Sequence, residues 1–254
     1  MANRSWRNYI QFSTETPNIP KHLIVFLLSA LLLTACSGPT SAPPDPLELV
    51  ETAARTIQSA DSFAVIIERT GAPVFLDPNG LIVFLRARGS YVAPDRVQAR
   101  VRVTVSGIAG ELDVIAIGDD QYYRHAVLTG GQWINAEFSP GFNAENLVRS
   151  ESGLSRALQA IKDLELVGQE TVDGVPMWRL SGTAIGSEVA ALTFDLIPAQ
   201  QDVTVDLFIR VDNQQAERMI IVQPDTVTPE TPEPTTWTVE IFDYNGQFTI
   251  EPPG

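Results

Sequence analysis

Residues 97–105 read Val-Gln-Ala-Arg-Val-Arg-Val-Thr-Val, and this stretch decides the fold class. Val97, Ala99, Val101, Val103 and Val105 alternate with Gln98, Arg100, Arg102 and Thr104. Side chains of a strand point to opposite faces in turn, so one face here is small and aliphatic and the other polar. That is the pattern of an antiparallel sheet with one solvated side. The same alternation returns in Val203, Val205, Leu207, Ile209 and Val211, and in Trp237, Val239 and Ile241.

Working outward, the period of two predicts strands at 63–70, 81–92, 95–108, 164–172, 176–184, 201–212, 216–223 and 236–243. A strand at 111–117 is predicted after an Ala109-Gly110 turn, with short aromatic strands at Gln121–His125 and Gln132–Asn135 and a last strand near 247–251. Asp173-Gly174 between two such runs is a strong hairpin signal. Asp45-Pro46 predicts the N-cap and first residue of a helix, with Leu47, Val50, Ala54 and Ile57 on its apolar face and its end near Ala60. Asn143–Ile161, with Leu147, Leu154, Leu158 and Ile161, predicts one or two helices, and 187–197 another short one. Residues 224–235 hold four prolines and three acids, so they cannot pair as a strand and are expected to protrude as an exposed loop. About ten strands with helices at the start and middle make an α+β domain on a large antiparallel sheet.

The front of the chain differs. An 11-residue apolar run, Leu23 to Leu33, follows Arg4, Arg7, Lys21 and His22 and precedes Thr34-Ala35-Cys36. A basic start, a short apolar run and small residues at a cut site make a secretory signal peptide. The run is too short for a transmembrane helix of ~20 residues. Leu33-Thr34-Ala35-Cys36 resembles the lipobox of bacterial lipoproteins, which implies cleavage after residue 35 and a diacylglycerol on Cys36. An ordinary signal peptide or an anchor helix is the alternative. Cys36 is the only cysteine, so no internal disulfide can form. Residues 37–46 (SGPTSAPPDP) read as a semi-rigid tether, and 47–254 as one domain. The expected location is the extracytoplasmic side of a cell membrane, held by lipid.

The chain carries 17 Lys+Arg and 31 Asp+Glu. Removing Arg4, Arg7, Lys21 and Glu15 with the signal leaves 14 basic and 30 acidic residues, a formal charge of −16. A general nucleic-acid binder needs a basic stripe, so that class is excluded. Beyond the signal there is a single histidine, His125, and no G-x-S-x-G motif. Zinc wants three or four Cys or His ligands, which this composition does not supply. No Gly-rich phosphate loop follows a strand. Asp119-Asp120 beside Gly118 makes a turn rather than a metal site. No catalytic residue, metal or cofactor is expected, and the chain is not expected to be an enzyme.

Several segments resemble the LppX/LprA/LprF/LprG family of bacterial lipoproteins. They are Glu151-Ser152-Gly153-Leu154 with Ala157-Leu158, then Val167-Gly168-Gln169-Glu170-Thr171-Val172-Asp173-Gly174, and Arg179-Leu180-Ser181-Gly182-Thr183. Phe242-Asp243-Tyr244-Asn245-Gly246 and Ile250-Glu251-Pro252-Pro253 add a turn and terminus of the family's type. Two features depart from it: Phe208-Ile209-Arg210-Val211-Asp212 replaces a Trp-Ile-Asp pattern, and loop 224–235 looks inserted. The resemblance implies a strongly curved, incompletely closed antiparallel sheet, a LolA-like half-barrel, with helices covering its open side. It implies an apolar cavity that holds acyl chains of a lipid or glycolipid. Val97, Val101, Val103, Val105, Val203, Val205, Leu207, Ile209, Trp237, Val239, Leu154, Leu158 and Ile161 are the expected lining. The implied partners are that lipid, the membrane through the acyl anchor, and an envelope transporter; a monomer is expected. An interaction or sensor module on the same fold, RseB-like with a protein partner, is the alternative.

Overall fold

The computed structural model describes residues 43–137, 144–148, 153–193 and 195–254. The expected signal peptide, Cys36 and the tether up to residue 42 lie outside them.

The first helix, α1 (Pro46–Gln58), begins as the sequence predicts. The Asp45 carboxylate accepts the N–H groups of Leu47 at 2.8 Å and Glu48 at 3.2 Å, and Pro46 takes the first helical position, where no N–H is needed. The inward stripe is shifted from the predicted one. Leu49, Val50, Ala53, Ala54 and Ile57 are buried, whereas Leu47 is exposed. Leu49 and Val50 face the core together, one turn before Ala53 and Ala54. Leu47, in the first turn, lies off that stripe.

Among the described residues eleven strands follow: β1 (Ser62–Thr70), β2 (Ile82–Val92), β3 (Arg96–Val105), β4 (Ile108–Ile117), β5 (Asp120–His125), β6 (Ile134–Asn135), β7 (Lys162–Val172), β8 (Val175–Ile185), β9 (Asp202–Arg210), β10 (Ala216–Gln223) and β11 (Thr235–Phe242). All pair antiparallel in one sheet of order β6-β5-β4-β3-β2-β1-β11-β10-β9-β8-β7. The two edge strands, β6 and β7, do not meet, so the sheet is not closed into a barrel. It is two meanders joined where β1 pairs with β11, with Ile67 opposite Val239 and Arg69 opposite Trp237.

Two turns show how backbone chemistry sets the hairpins. Asp173 (φ 51°) and Gly174 (φ 84°) close β7–β8, as the Asp-Gly signal predicts. The β3–β4 turn is not Ala109-Gly110. Ser106 (φ 49°) and Gly107 (φ 82°) supply the two positive φ values that match strand twist, so β4 begins at Ile108 and Gly110 lies within it.

The predicted helices are shorter than expected. Asn143–Ile161 gives, within its described part, a 3₁₀ turn at Ala144–Leu147 and α2 (Leu154–Gln159). Among the described residues of 187–197, α3 (Ala190–Thr193) is the α-helical part. No strand forms at 247–251. That segment is an extended tail fixed by burial of Ile250 and by the Arg96 guanidinium, which donates to the Ile250 carbonyl at 2.7 Å. Helices α1 and α2 pack on one another and on one face of the sheet. Their side chains join those of β1, β2 and β8–β11 in one hydrophobic cluster. Pro44–Gly254 forms a compact unit that contains this whole cluster, so the domain carries its own core.

Residues 224–234 leave the sheet as expected, with a 3₁₀ turn at Pro224–Thr226 and mostly exposed side chains. Thr235 belongs to β11 and is buried. Replacing 227–233 with a Gly-Asn turn is expected to move the melting temperature by only a few degrees, because loop-closure entropy varies slowly with length. A thermal melt followed by circular dichroism checks this; loss of the transition would make the loop structural.

Candidate functional site

The register of the sheet decides which side chains face the helices. Across β2–β3, Tyr91 stands opposite Val97, Ala87 opposite Val101, and Phe84 opposite Val103. Across β9–β10, Val205 faces Ile221 and Leu207 faces Met219; β11 adds Trp237 opposite Ile221 and Val239 opposite Met219. Of the predicted lining, Val203, Val205, Leu207, Ile209, Trp237, Val239, Leu154, Leu158 and Ile161 are buried in the one cluster under α1 and α2. Val97 and Val101 are half-buried and pack at its margin, Val103 is buried, and Val105 is half-buried.

The two halves of this interior differ in packing. Around α2 the side chains close on a cavity of about 10 Å³, bounded by Ile57, Leu154, Leu158, Leu207, Met219 and Val239. That is room for about one water. The floor formed by β3 and β4 is covered less. Val97, Ala99, Val101, Val105 and Leu112 are half-buried there, whereas Val103, Val114 and Ala116 on the same face are buried; Val97 and Val101 pack against the core cluster.

Two glycines deepen this half of the sheet. A Cβ on Gly89 would meet the Gln98 carbonyl oxygen at 2.5 Å and the Ala99 Cβ at 2.8 Å; one on Gly110 would meet His125 Nε2 at 2.7 Å. Glycine inside a strand marks close backbone approach or a bend, and that signal was in the sequence. Sequence reasoning missed Ala87, Gly89, Gly110 and Leu112, whose small or isolated character gives no periodic peak.

His125 is a buried polar group at the edge of this floor. It stands opposite Leu112, on the inner face of β5. Its Nδ1 accepts the N–H groups of Val127 at 3.2 Å and Leu128 at 3.1 Å, which places the proton of the neutral ring on Nε2. That Nε2–H is buried beside Gly110 without a partner. A buried unmade hydrogen bond costs about 1–3 kcal/mol. The arrangement offers a donor, not a nucleophile or a base, since both backbone hydrogen bonds occupy the only basic nitrogen.

The ends of the interior are polar. Trp237, stacked on Phe84 at 5.5 Å, donates through Nε1 to Gln223 at 2.9 Å, and Gln223 donates to Gln201 at 2.8 Å. Arg69 faces inward and donates to the carbonyls of Phe84, Gly71 and Ala72, and burial lowers its pKa. Tyr91 is pushed up to about 12 by burial and by the nearby carboxylates of Glu145 and Asp95.

The outer face of the same strands is charged. A groove of about 650 Å³ is lined by Arg86, Arg88, Arg100 and Arg102 and flanked by the C-terminal tail. The register sets Arg86 opposite Arg102 and Arg88 opposite Arg100. Arg100 and Arg124 both bind Asp113, at 2.7 and 2.6 Å; burial alone would raise the Asp113 pKa, and these hydrogen bonds hold it below the usual carboxylate range. Arg86 pairs with Glu68 at 2.9 Å. Among the described residues no three His, Cys, Asp or Glu gather as a metal site, and no helix is long and apolar enough to cross a membrane.

Known proteins bear on this geometry. LprF from Mycobacterium bovis is 12% identical and superposes with a TM-score of 0.62 over 83% of this chain and 98% of its own. The Mycobacterium tuberculosis lipoprotein LppX is 18% identical, with a TM-score of 0.56 over 82% of this chain and all of its own. At these identities the likeness shows the fold: an incompletely closed antiparallel sheet with helices on one side. No curated protein matches the chain significantly. The sequence profile of the LppX_LprAFG lipoprotein family matches residues 45–250, most of the chain and nearly all of the described domain. With its sheet, its helices and its profile all in agreement, the chain belongs to the LppX/LprAFG lipoprotein family.

Proposed function

We propose that this protein is an exported lipoprotein, anchored through an acylated Cys36, that takes acyl chains of a lipid or glycolipid between the inner sheet face and the helices and carries it within the cell envelope. The observation that carries this reading is the half-covered apolar floor of β3 and β4, continuous with the buried core of a lipoprotein-family domain. Chains that leave a bilayer for such a floor pass from one apolar medium to another, so affinity need only match the membrane. Shielding them from water is worth about 0.8 kcal/mol per methylene. The cavity of about 10 Å³ under α2 admits no chain as it stands. Loading therefore starts over Val97, Val101 and Leu112 and proceeds by α1 and α2 moving off β9–β11. His125 Nε2–H supplies a donor for a ligand carbonyl or hydroxyl at the edge of that floor.

Mass spectrometry of the soluble domain, expressed from Ser37 so that no anchor forms, tests the reading. Co-purified lipid, or uptake of a fluorescent fatty acid from solution, is expected. A domain that folds and takes up neither overturns it. The interaction-module reading draws on another feature, the groove of about 650 Å³ with its four arginines, and gains from that negative result. For the anchor, Cys36→Ser is expected to abolish partitioning of the processed protein into detergent, because the chain has no second cysteine to acylate. Equal partitioning after signal cleavage would refute the anchor.

A further inference from the structure

The meander places the connections of β1–β2, β3–β4 and β5–β6 at one end of the sheet, and those of β2–β3 and β4–β5 at the other. Along β2–β6 the two ends differ in chemistry. At the first end Phe75, Leu76, Leu81, Ile108, Val127 and Leu128 are exposed, Ile108 at 74% and Val127 at 77%. Residues 106–109 (SGIA) and 126–133 (AVLTGGQW) hold no charged side chain, in a chain that is 19% charged. Residues 71–81 hold one, Asp77, whose carboxylate is taken up inside the loop by the N–H groups of Asn79, Leu81 and Ile82. At the opposite end the connections carry Asp95, Asp119, Asp173 and Asp212. Among the described residues no large apolar side chain is exposed in those four connections.

We propose that the apolar end docks on a lipid bilayer, with the tips of the β1–β2, β3–β4 and β5–β6 connections inserted at the headgroup–acyl boundary. The tips come from three separate connections along one end of the sheet, so a partner has to accommodate them one by one. A bilayer does this at little cost, whereas a folded protein needs complementary shape. Uncharged tips suit a hydrocarbon layer, and the acidic opposite end suits water. Trp133 sits beside these tips with the Arg124 guanidinium 4.8 Å above its ring, an amphipathic pair suited to the headgroup level. The acidic 224–234 loop leaves the same end beside the β1–β2 connection, where Pro234 closes on Gly71, and the β8–β9 connection with Glu188 and Asp195 lies there too, so the proposed insertion is confined to the β2–β6 half of this end. The docked end would bring the β3–β4 floor to the membrane surface. The docking itself does not depend on the acyl-cavity reading.

The test is flotation of the 44–254 domain, which holds the whole core, with vesicles of pure phosphatidylcholine and with vesicles containing phosphatidylglycerol. Binding to both is expected, unchanged by high salt. Ile108→Glu with Val127→Glu is expected to reduce it roughly tenfold to a hundredfold, the scale of withdrawing two apolar side chains from a membrane. Both sites are exposed, so the melting temperature should hold; Val167→Glu, at an exposed position on β7, should change nothing. No flotation, flotation untouched by the double substitution, or binding that needs anionic lipid and disappears in salt would each overturn the proposal, the last by assigning contact to the arginine face. Fatty-acid uptake from solution, measured on the same double variant, should be unchanged. That readout separates failure of the docking surface from failure of the cavity.

Discussion

Trp237→Ala is expected to destabilise the domain by about 3–5 kcal/mol, the cost of deleting a large aromatic from a close-packed core. Trp237 is fully buried on β11, opposite Arg69 on one side and Ile221 on the other, and stacks on Phe84. The substitution also strands the Gln223 side-chain carbonyl, which receives the indole N–H at 2.9 Å and is itself buried. That adds about 1–3 kcal/mol if no water replaces the donor. Domains of this kind have only about 5–15 kcal/mol in total, so the variant should be partly unfolded at growth temperature. Trp237→Phe keeps most of the packing and loses the hydrogen bond, and should fall between. Urea denaturation of the three proteins measures this. If Trp237→Ala changes stability by less than about 1 kcal/mol, Trp237 lines loose space and the packed half of the interior is an open ligand chamber after all.

Much of the fold was legible because it rests on local chemistry. A period of two is explicit in Val97–Val105, in Val203–Ile209 and in Trp237–Ile241, and each run became a strand with those residues inward. Asp45-Pro46 and Asp173-Gly174 are fixed by capping and by positive φ, both properties of single residues. Features that rest on partners far away in sequence were less legible. Leu49 rather than Leu47 faces inward because α1 must fit the sheet and α2 together. Ser106-Gly107, not Ala109-Gly110, makes the β3–β4 turn because the register from Arg96 to Val105 against β4 leaves only two residues between the strands. The C-terminal segment alternates too weakly to pair, and Arg96, more than 150 residues earlier, fixes it instead.

The candidate site shows the same division. The sequence names residues that face inward, and it cannot say how much space is left between them. Val205 and Val101 read alike, each a valine alternating with polar residues. The first lies under β10 and the helices at 1% exposure, and the second lies on the half-covered floor. The difference comes from where α1 and α2 come to rest, a sum over many contacts that no single stretch encodes.

Val101→Trp is therefore expected to abolish lipid uptake, at least tenfold in apparent affinity, while the melting temperature stays within a few degrees of the parent. Its cross-strand neighbours are small or half-buried, Ala87 on β2 and Leu112 on β4, so an indole can lie along the floor instead of being forced into packed side chains. There it occupies the strip over which an acyl chain would lie. Val205→Trp is the matched control. It inserts the same ring between β8 and β10, where Gly182 and Ile221 leave no free volume, and should cost roughly 1–3 kcal/mol or more through overpacking. Fatty-acid displacement and chemical denaturation on both variants give a two-by-two outcome. Uptake lost without destabilisation in the first, and destabilisation in the second, place the acyl chain over β3 and β4. Uptake retained in Val101→Trp despite a folded domain would remove the floor from the site and leave the arginine-lined outer groove as the surface on which this protein acts.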